Sequence, residues 1–165
     1  MFFLIDCETT GSKRNWDRGI SYVIFAYDKH GKLLGMFEQQ VNNGHIPIKE
    51  RAFAVHGISA ADLADAPPFE RVGRDMNVFF DTHLGGHDAG VLVAHNGATD
   101  FQFLSCDYIR AGLKLPAKIT HTICTLQVIY MSPLKRALNT CSINSPLTLP
   151  DDQAIWISCL PQGKA

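Results

Sequence analysis

The first eleven residues, MFFLIDCETTG (1–11), are the most informative stretch for the fold. Residues 2–7 are apolar except for Asp6, and Glu8 follows at once. In a β-strand, residues two apart point to the same face, so the two carboxylates would stand side by side. Two like charges at this spacing are unfavourable unless a positive charge lies between them. The stretch therefore fits a divalent cation held by carboxylate oxygens, or a strand end that runs into solvent.

Length and composition indicate one globular domain, because 165 residues with 46% hydrophobic and 19% charged residues are ordinary values. Five cysteines, without a C-x-x-C pair, favour reduced thiols in an intracellular compartment such as the cytoplasm, the nucleus or an organelle. The apolar start is too short for a signal peptide, and no apolar run could span a membrane. We therefore expect a protein that is neither secreted nor membrane-bound.

The hydrophobic pattern predicts a mixed α/β sheet flanked by helices. Three apolar strands joined by short polar links, among them the turn DKHGK, predict an antiparallel meander over residues 2–7, 20–27 and 33–41. Residues 42–70 are predicted to be irregular, apart from a short helix that has Ser59 as its N-cap and ends before two prolines. Alternating helices and strands follow at 69–80 (helix), 90–96 (strand), 100–111 (helix), 118–122 (strand) and 124–131 (helix).

A second polar cluster follows the strand in LVAHNGATDFQFL (92–104). The apolar run ends at His95 and Asn96, a glycine-containing turn follows, and Asp100 opens a helix. An Asp at this position can simply stabilise the helix N-terminus. It can also belong to a site, because loops converge at strand ends in open α/β sheets. Taken alone, this motif leaves both interpretations open.

Together the two motifs resemble those of the DEDD superfamily of 3′–5′ exonucleases. The D-x-E-T-T-G motif is complete, and the H-N-x-x-F-D motif is present with Thr99 in place of its usual aromatic residue. FAVHGISAADLADAPPFERV is similar to the H-G-I linker of that family, and CTLQVIYMSP to its T-L-x-L helix. The resemblance extends from residue 1 to about residue 133.

The resemblance implies an RNase H-like fold with a mixed five-stranded sheet, and two-metal hydrolysis at the 3′ end of single-stranded DNA or RNA. Two cations, Mg²⁺ or Mn²⁺, would be bound by the three carboxylates, with Asp6 bridging both ions. The resemblance also assigns residues to the substrate. These are Thr9, Thr10 and Gly11 for the 3′-terminal nucleotide, His95 and Asn96 for the strand, and His56 for the pocket wall or a substrate contact.

The third motif of the superfamily, His or Tyr followed four or five residues later by Asp, is absent. No His follows His121, and Asp151 and Asp152 are the only acids after Asp107. Residues 134–165 thus form a divergent or truncated segment of the single exonuclease-like domain. Three interpretations stay open: an active enzyme with Asp151 or Asp152 as substitute acid, an inactive relative that binds nucleic acid or protein, or a C-terminus altered from that of an active parent.

Overall fold

The computed structural model describes residues 1–42 and 44–131. Residues 134–165, including Asp151 and Asp152, lie outside these ranges. The described chain contains five strands and four helices in alternating groups. In chain order they are β1 (Phe2–Thr9), β2 (Gly19–Tyr27), β3 (Leu33–Gln40), α1 (Glu50–His56), α2 (Phe69–Leu84), β4 (Gly90–Ala94), α3 (Gly97–Arg110), β5 (Ile119–Cys124) and α4 (Thr125–Met131).

The strands form one mixed sheet in the order β3-β2-β1-β4-β5. The first three strands pair antiparallel as a meander, whereas β1 pairs parallel with β4 and β4 pairs parallel with β5. Parallel neighbours require crossover connections, and α2 and α3 lie in these connections. The predicted mixed five-stranded sheet with flanking helices is confirmed, and β1 is its central strand.

The core lies between the sheet and α2 and α3. Phe3 and Ile5 of β1 are buried, while Leu4 and Asp6 between and after them are exposed, as strand alternation requires. Buried residues of α2 recur every four positions, which places them on one helical face. The rings of Phe3 and Phe80 meet edge to face with centroids 4.9 Å apart. This packing holds β1, the strand that carries Asp6 and Glu8, against α2.

The prediction of an irregular segment over residues 42–70 is wrong in part, because it contains α1. This helix has no buried residue, so it lacks the apolar periodicity from which a helix is inferred. Gly57 ends it in the left-handed region, at φ 71°, and donates its N–H to Phe53 O. The short helix expected after Ser59 is a series of turns instead. Ser59 N–H nevertheless donates to Asp62 Oδ2 over 2.7 Å, as in a cap.

The connection between β4 and α3 is unusually tight, because only His95 and Asn96 separate them. Asn96 adopts a left-handed backbone conformation at φ 57°, which Asn tolerates better than most residues. The helix therefore begins three residues before Asp100, earlier than predicted, and Asp100 lies in its first turn. In the part of the chain that the structure describes, no helix has the length and apolar character needed to cross a bilayer.

Candidate active site

Asp100 is the carboxylate that joins the two sequence motifs. Its Oδ1 accepts hydrogen bonds from the backbone N–H of Cys7, over 3.3 Å, and from the Cys7 thiol, over 3.2 Å. The registered pairing of β1 with β4 extends only as far as Leu4 and Val93, so Cys7 lies beyond that ladder. Asp100 therefore meets β1 at the residue that lies between Asp6 and Glu8.

The three carboxylates influence one another electrostatically. Burial raises the pKa of Asp100, and the nearby Asp6 raises it further, although hydrogen bonds from Cys7 partly offset both effects. Burial also raises the pKa of Glu8, as do the charges of Asp6 and Asp100, against an opposing effect of His56. The pKa of the Cys7 thiol is raised strongly by burial and then by Asp100, so the thiol stays protonated and donates. The site concentrates negative charge with little compensation from protein cations.

An open cavity of about 470 Å³ adjoins this cluster. Glu8, Thr9, Gly11 and His56 line it, together with Ser12, Lys49, Arg51, Ala52, Val55 and Thr99. Thr9 is partly exposed there, and its hydroxyl donates to Gly11 O over 2.8 Å. The cavity thus opens beside one candidate metal ligand, Glu8, and is bordered by Thr9 and Gly11, two of the three residues assigned to the terminal nucleotide.

His56 connects α1 to the end of β1. Its Nδ1 accepts the N–H of Ile58 over 3.0 Å, which leaves the proton on Nε2, and Nε2 donates to Thr9 O over 3.2 Å. Both ring nitrogens are thus engaged by the backbone. This arrangement favours the wall-shaping role over direct substrate contact, the two roles that the sequence left open.

Thr10 differs from the expectation for a nucleotide contact, because it has no exposed surface. Its hydroxyl accepts the N–H of Arg18 over 3.0 Å and lies 3.5 Å from Asp17 Oδ1. Its carbonyl accepts the N–H of Lys49 over 2.9 Å. Thr10 therefore holds together the β1–β2 loop and the start of α1, and its side chain is not available to a ligand in this structure.

Gly11 lies against an ion pair between the buried Asp17 and the half-exposed Lys49. Lys49 Nζ lies 2.6 Å from Asp17 Oδ2, and a Cβ at position 11 would approach Asp17 and Lys49 to 2.6 Å. Burial alone would raise the pKa of Asp17, but hydrogen bonds from Lys49 and the Lys13 N–H outweigh it and hold the pKa low. Glycine is needed here for space, so that the backbone can pass over the ion pair.

His95 and Asn96 are both exposed at the start of α3. His95 Nδ1 lies 3.1 Å from the hydroxyl of Thr125, the first residue of α4, and Asn96 Nδ2 donates to Thr99 Oγ1 over 3.3 Å. These two residues do not line the cavity. Their assigned contact with the nucleic-acid strand stays a prediction.

The donor chemistry of Asp6, Glu8 and Asp100 fits a divalent cation of the magnesium class, since all three supply hard oxygen ligands. Burial, and then the charges of the neighbouring carboxylates, raise the pKa values of Glu8 and Asp100, and a bound cation would compensate this charge. The side chains as placed do not form a closed ligand cage. Among residues 1–42 and 44–131, no group of three His, Cys, Asp or Glu side chains stands ready to coordinate one ion. An ion would have to draw the carboxylates together.

Several residues important to the site were missed from the sequence. Cys7 reads as one more apolar strand residue, and only the tertiary contact reveals its role toward Asp100. Asp17 and Lys49 are separated by 32 positions, so their pairing has no local signal. Thr125 belongs to the T-L-x-L motif noted above, which could have indicated a partner for His95.

The mixed five-stranded sheet with its flanking helices is that of an RNase H-like exonuclease domain. The profile of the exonuclease family RNase_T matches residues 3–144. The chain belongs to this family, whose members in general use divalent metals.

Similar proteins agree with this assignment. A DNA polymerase III subunit epsilon-like protein of Rhodobacter capsulatus is 28% identical over 153 residues, which cover 92% of this chain and 21% of the relative. The chain therefore spans about a fifth of that relative's length. Escherichia coli exonuclease I in complex with a dT13 oligonucleotide has the same fold, with a TM-score of 0.71 and 15% identity over 89% of this chain and 32% of that one. The nuclease domain of 3′hExo, a DEDDh family member bound to rAMP, gives a TM-score of 0.66 and 18% identity over 81% of this chain and 72% of that one.

Proposed function

We propose that this protein is a metal-dependent 3′–5′ exonuclease that hydrolyses the terminal phosphodiester bond of single-stranded nucleic acid. The observation that carries the proposal is the hydrogen-bonded contact of Asp100 with Cys7, between Asp6 and Glu8 in β1. It brings two distant motifs to one point beside an open cavity. The family assignment supports the same reaction class.

In this proposal Asp6, Glu8 and Asp100 hold two divalent cations, Mg²⁺ or Mn²⁺. When bound, the ions would activate a water and stabilise the attacking and leaving oxygens. The protein's own residues position these carboxylates. Cys7 fixes the orientation of the Asp100 carboxylate, and the alternation of β1 directs Asp6 and Glu8 to a common face.

The 3′-terminal nucleotide would occupy the cavity against Thr9 and the backbone at Gly11, with His56 as the wall. His95 and Asn96, exposed at the start of α3, would contact the adjoining strand. The choice between DNA and RNA needs an experiment, since the similar structures hold dT13 in one case and rAMP in the other. Discrimination would depend on contacts to the 2′ position of the sugar.

The test uses DNA and RNA oligonucleotides labelled at the 5′ end. The wild-type protein should produce a ladder of products shortened from the 3′ end, with Mg²⁺ or Mn²⁺ and not with EDTA. Asp100→Ala should abolish the ladder, because it removes a proposed ligand. Asp75→Ala, an exposed acid on α2, serves as the matched control and should shorten the substrate at the wild-type rate. A ladder that persists in Asp100→Ala would contradict the proposed site.

A second candidate function is a binding module that no longer cleaves. The missing third motif favours it, because the loss of a general base typically costs about 10²–10⁴-fold in rate. Under this alternative, the wild-type protein would bind the labelled oligonucleotide with a steep salt dependence and leave its length unchanged.

We further propose that the protein works in an intracellular, reducing compartment. Three cysteines of the described chain, Cys7, Cys106 and Cys124, are free thiols. The hydrogen bond from Cys7 to Asp100 requires a protonated thiol. Oxidation of that thiol would remove the donor, so a thiol-reactive oxidant should lower activity and dithiothreitol should restore it.

A further inference from the structure

Trp16 is one of the most exposed large hydrophobic side chains of the described residues, at 74%. It lies in the connection between β1 and β2, of which we name residues 12–18 the Trp16 loop. Lys13, Arg14 and Asn15 of this loop are also exposed. Exposure of this indole to water is unfavourable, and a ligand that covers it would gain the free energy of burying its apolar surface.

The Trp16 loop is a fixed turn. The N–H of Trp16 donates to Lys13 O over 2.8 Å, and the N–H of Asp17 donates to the same oxygen over 2.7 Å. The Asp17 carboxylate accepts the N–H of Lys13 over 2.7 Å from its buried position. The indole is therefore presented by a preorganised backbone, which lowers the entropy cost of binding a ligand.

The loop also carries cationic side chains that lack acidic partners. Among the ion pairs of the described residues, none includes Lys13, Arg14 or Arg18. Arg14 Nη1 donates to Gln102 Oε1 over 2.6 Å, and Arg18 Nη1 donates to Trp16 O over 2.9 Å. The one acid of the loop, Asp17, is already neutralised by Lys49. The surface thus combines an aromatic face with net positive charge.

The Trp16 loop begins at the cavity, because Ser12 lines it. Trp16 is four residues further on, so its Cα lies at most about 14 Å from that of Ser12. Bases stack on exposed aromatic rings, and phosphates are attracted to neighbouring arginines, in proteins that bind single strands. A strand whose 3′ end occupies the cavity could therefore reach this surface with its next nucleotides.

We propose that the Trp16 loop is a binding site for single-stranded nucleic acid outside the cavity, where a base stacks on Trp16 and phosphates pair with Arg14 and Arg18. The direction of the strand, with its 3′ end in the cavity, rests on the proposed function. Binding of single-stranded nucleic acid to the Trp16 loop does not rest on the proposed function, so either proposal can fail without the other.

The first measurement is fluorescence. Trp156 is the one other tryptophan of the chain, so W156F leaves Trp16 as the sole indole. Asp100→Ala is included so that the oligonucleotide stays intact. Titration with an oligothymidylate or oligouridylate of about twelve nucleotides, within the range of single-strand site sizes, should quench the Trp16 emission, whereas a dinucleotide should not.

The second measurement is the anisotropy of a labelled oligonucleotide, with Trp156 unchanged. Trp16→Ala should weaken binding of the longer oligonucleotide about 5- to 160-fold, the range for loss of one stacked base, and leave dinucleotide binding unchanged. Arg14→Ala should reduce the salt slope by about 0.7, as for one phosphate contact on a single strand. Val78→Ala and Arg74→Ala, exposed on α2, are the matched controls and should leave binding unchanged.

The outcomes separate the two proposals. Quenching and Trp16-dependent affinity without metal-dependent shortening by the wild-type protein would support this site and contradict the exonuclease. Shortening by the wild type, with no quenching and with full affinity of Trp16→Ala, would overturn this site and leave the exonuclease intact. If Trp16→Ala lost affinity for the longer oligonucleotide and for the dinucleotide to the same extent, the Trp16 site would also be overturned, because the substitution would then act on the cavity.

Discussion

The Asp100 carboxylate accepts two hydrogen bonds from Cys7, one from its backbone N–H and one from its thiol. These residues are 93 positions apart, and they join the end of the central strand to the first turn of α3. The contact is possible because β1 extends beyond its registered pairing with β4, and the two-residue turn at His95 and Asn96 directs α3 back toward it. The orientation of one proposed metal ligand thus depends on a residue between the other two.

Replacing the Cys7 thiol should lower activity without unfolding the protein. Cys7→Ala removes one donor to Asp100, and a hydrogen bond of this kind contributes about 0.5–1.5 kcal/mol. We expect a loss of about 2- to 10-fold in the rate of 3′ shortening, with recovery in Cys7→Ser, which keeps a donor. Cys106→Ala, on the same helix as Asp100, is the control. Equal rates for Cys7→Ala and Cys7→Ser would show that the thiol does not position Asp100.

Divalent metal should stabilise the folded protein. Mn²⁺ binds the native carboxylate cluster and not the unfolded chain, so the melting temperature should rise with Mn²⁺ concentration by mass action. Asp6→Asn should remove most of this rise. It should also leave the metal-free protein at least as stable as the wild type, because it relieves the repulsion that raises the pKa of Asp100. A melting temperature indifferent to millimolar Mn²⁺ would argue against a working metal site.

The stabilisation by Mn²⁺ should depend on pH. The pKa values of Glu8 and Asp100 are raised in the folded state, so the folded protein holds these protons more tightly than the unfolded chain. These groups therefore reduce the free energy of unfolding as pH rises from the ordinary carboxyl pKa of about 4 through the raised values. Mn²⁺ should raise the melting temperature more at pH about 7.5 than at pH about 5, where it competes with protons. A rise independent of pH would contradict a site built on these two groups.

Asp107 should be important for stability and not for metal binding. Its buried carboxylate accepts hydrogen bonds from Tyr22 Oη over 2.7 Å, from Gly19 N over 2.8 Å and from Arg110 Nη1 over 2.7 Å. Asp107→Asn should cost about 3 kcal/mol of unfolding free energy, because a buried network loses its charged acceptor. Asp75→Asn breaks only an exposed pair and should change stability by less than about 0.5 kcal/mol. Urea denaturation measures both.

The two acids near the C-terminus provide a direct test of a substitute for the missing third motif. If Asp151 or Asp152 supplies the fourth acid, replacing both with Asn should lower the rate of shortening by orders of magnitude while the thermal transition persists. If neither does, the rate should barely change. Adding a closing helix that carries a His and an Asp should then raise the rate sharply, and an unchanged rate would place the defect elsewhere.

The strands of the sheet could be predicted from the sequence, because the patterns that indicate a strand are local. Apolar runs joined by short polar links predict β1, β2 and β3, and helical spacing of the apolar residues of α2 predicts a helix. Asp6, Glu8 and Asp100 could be chosen as ligands for the same reason, since each lies in a short recognisable motif. The helix α1 escaped prediction because it buries none of its residues and so leaves no periodic signal.

The tertiary structure determines which residues of those motifs contact one another and which are buried. Only the fold shows that Cys7 orients Asp100, that Thr10 is buried within the β1–β2 loop, and that both ring nitrogens of His56 are held by the backbone. Each of these facts depends on residues far apart in sequence, or on a burial that composition does not reveal. Local propensity and spacing specify which elements form. The distances between their side chains arise only when the elements pack, and those distances determine which polar groups are satisfied by the protein and which stay free for a ligand.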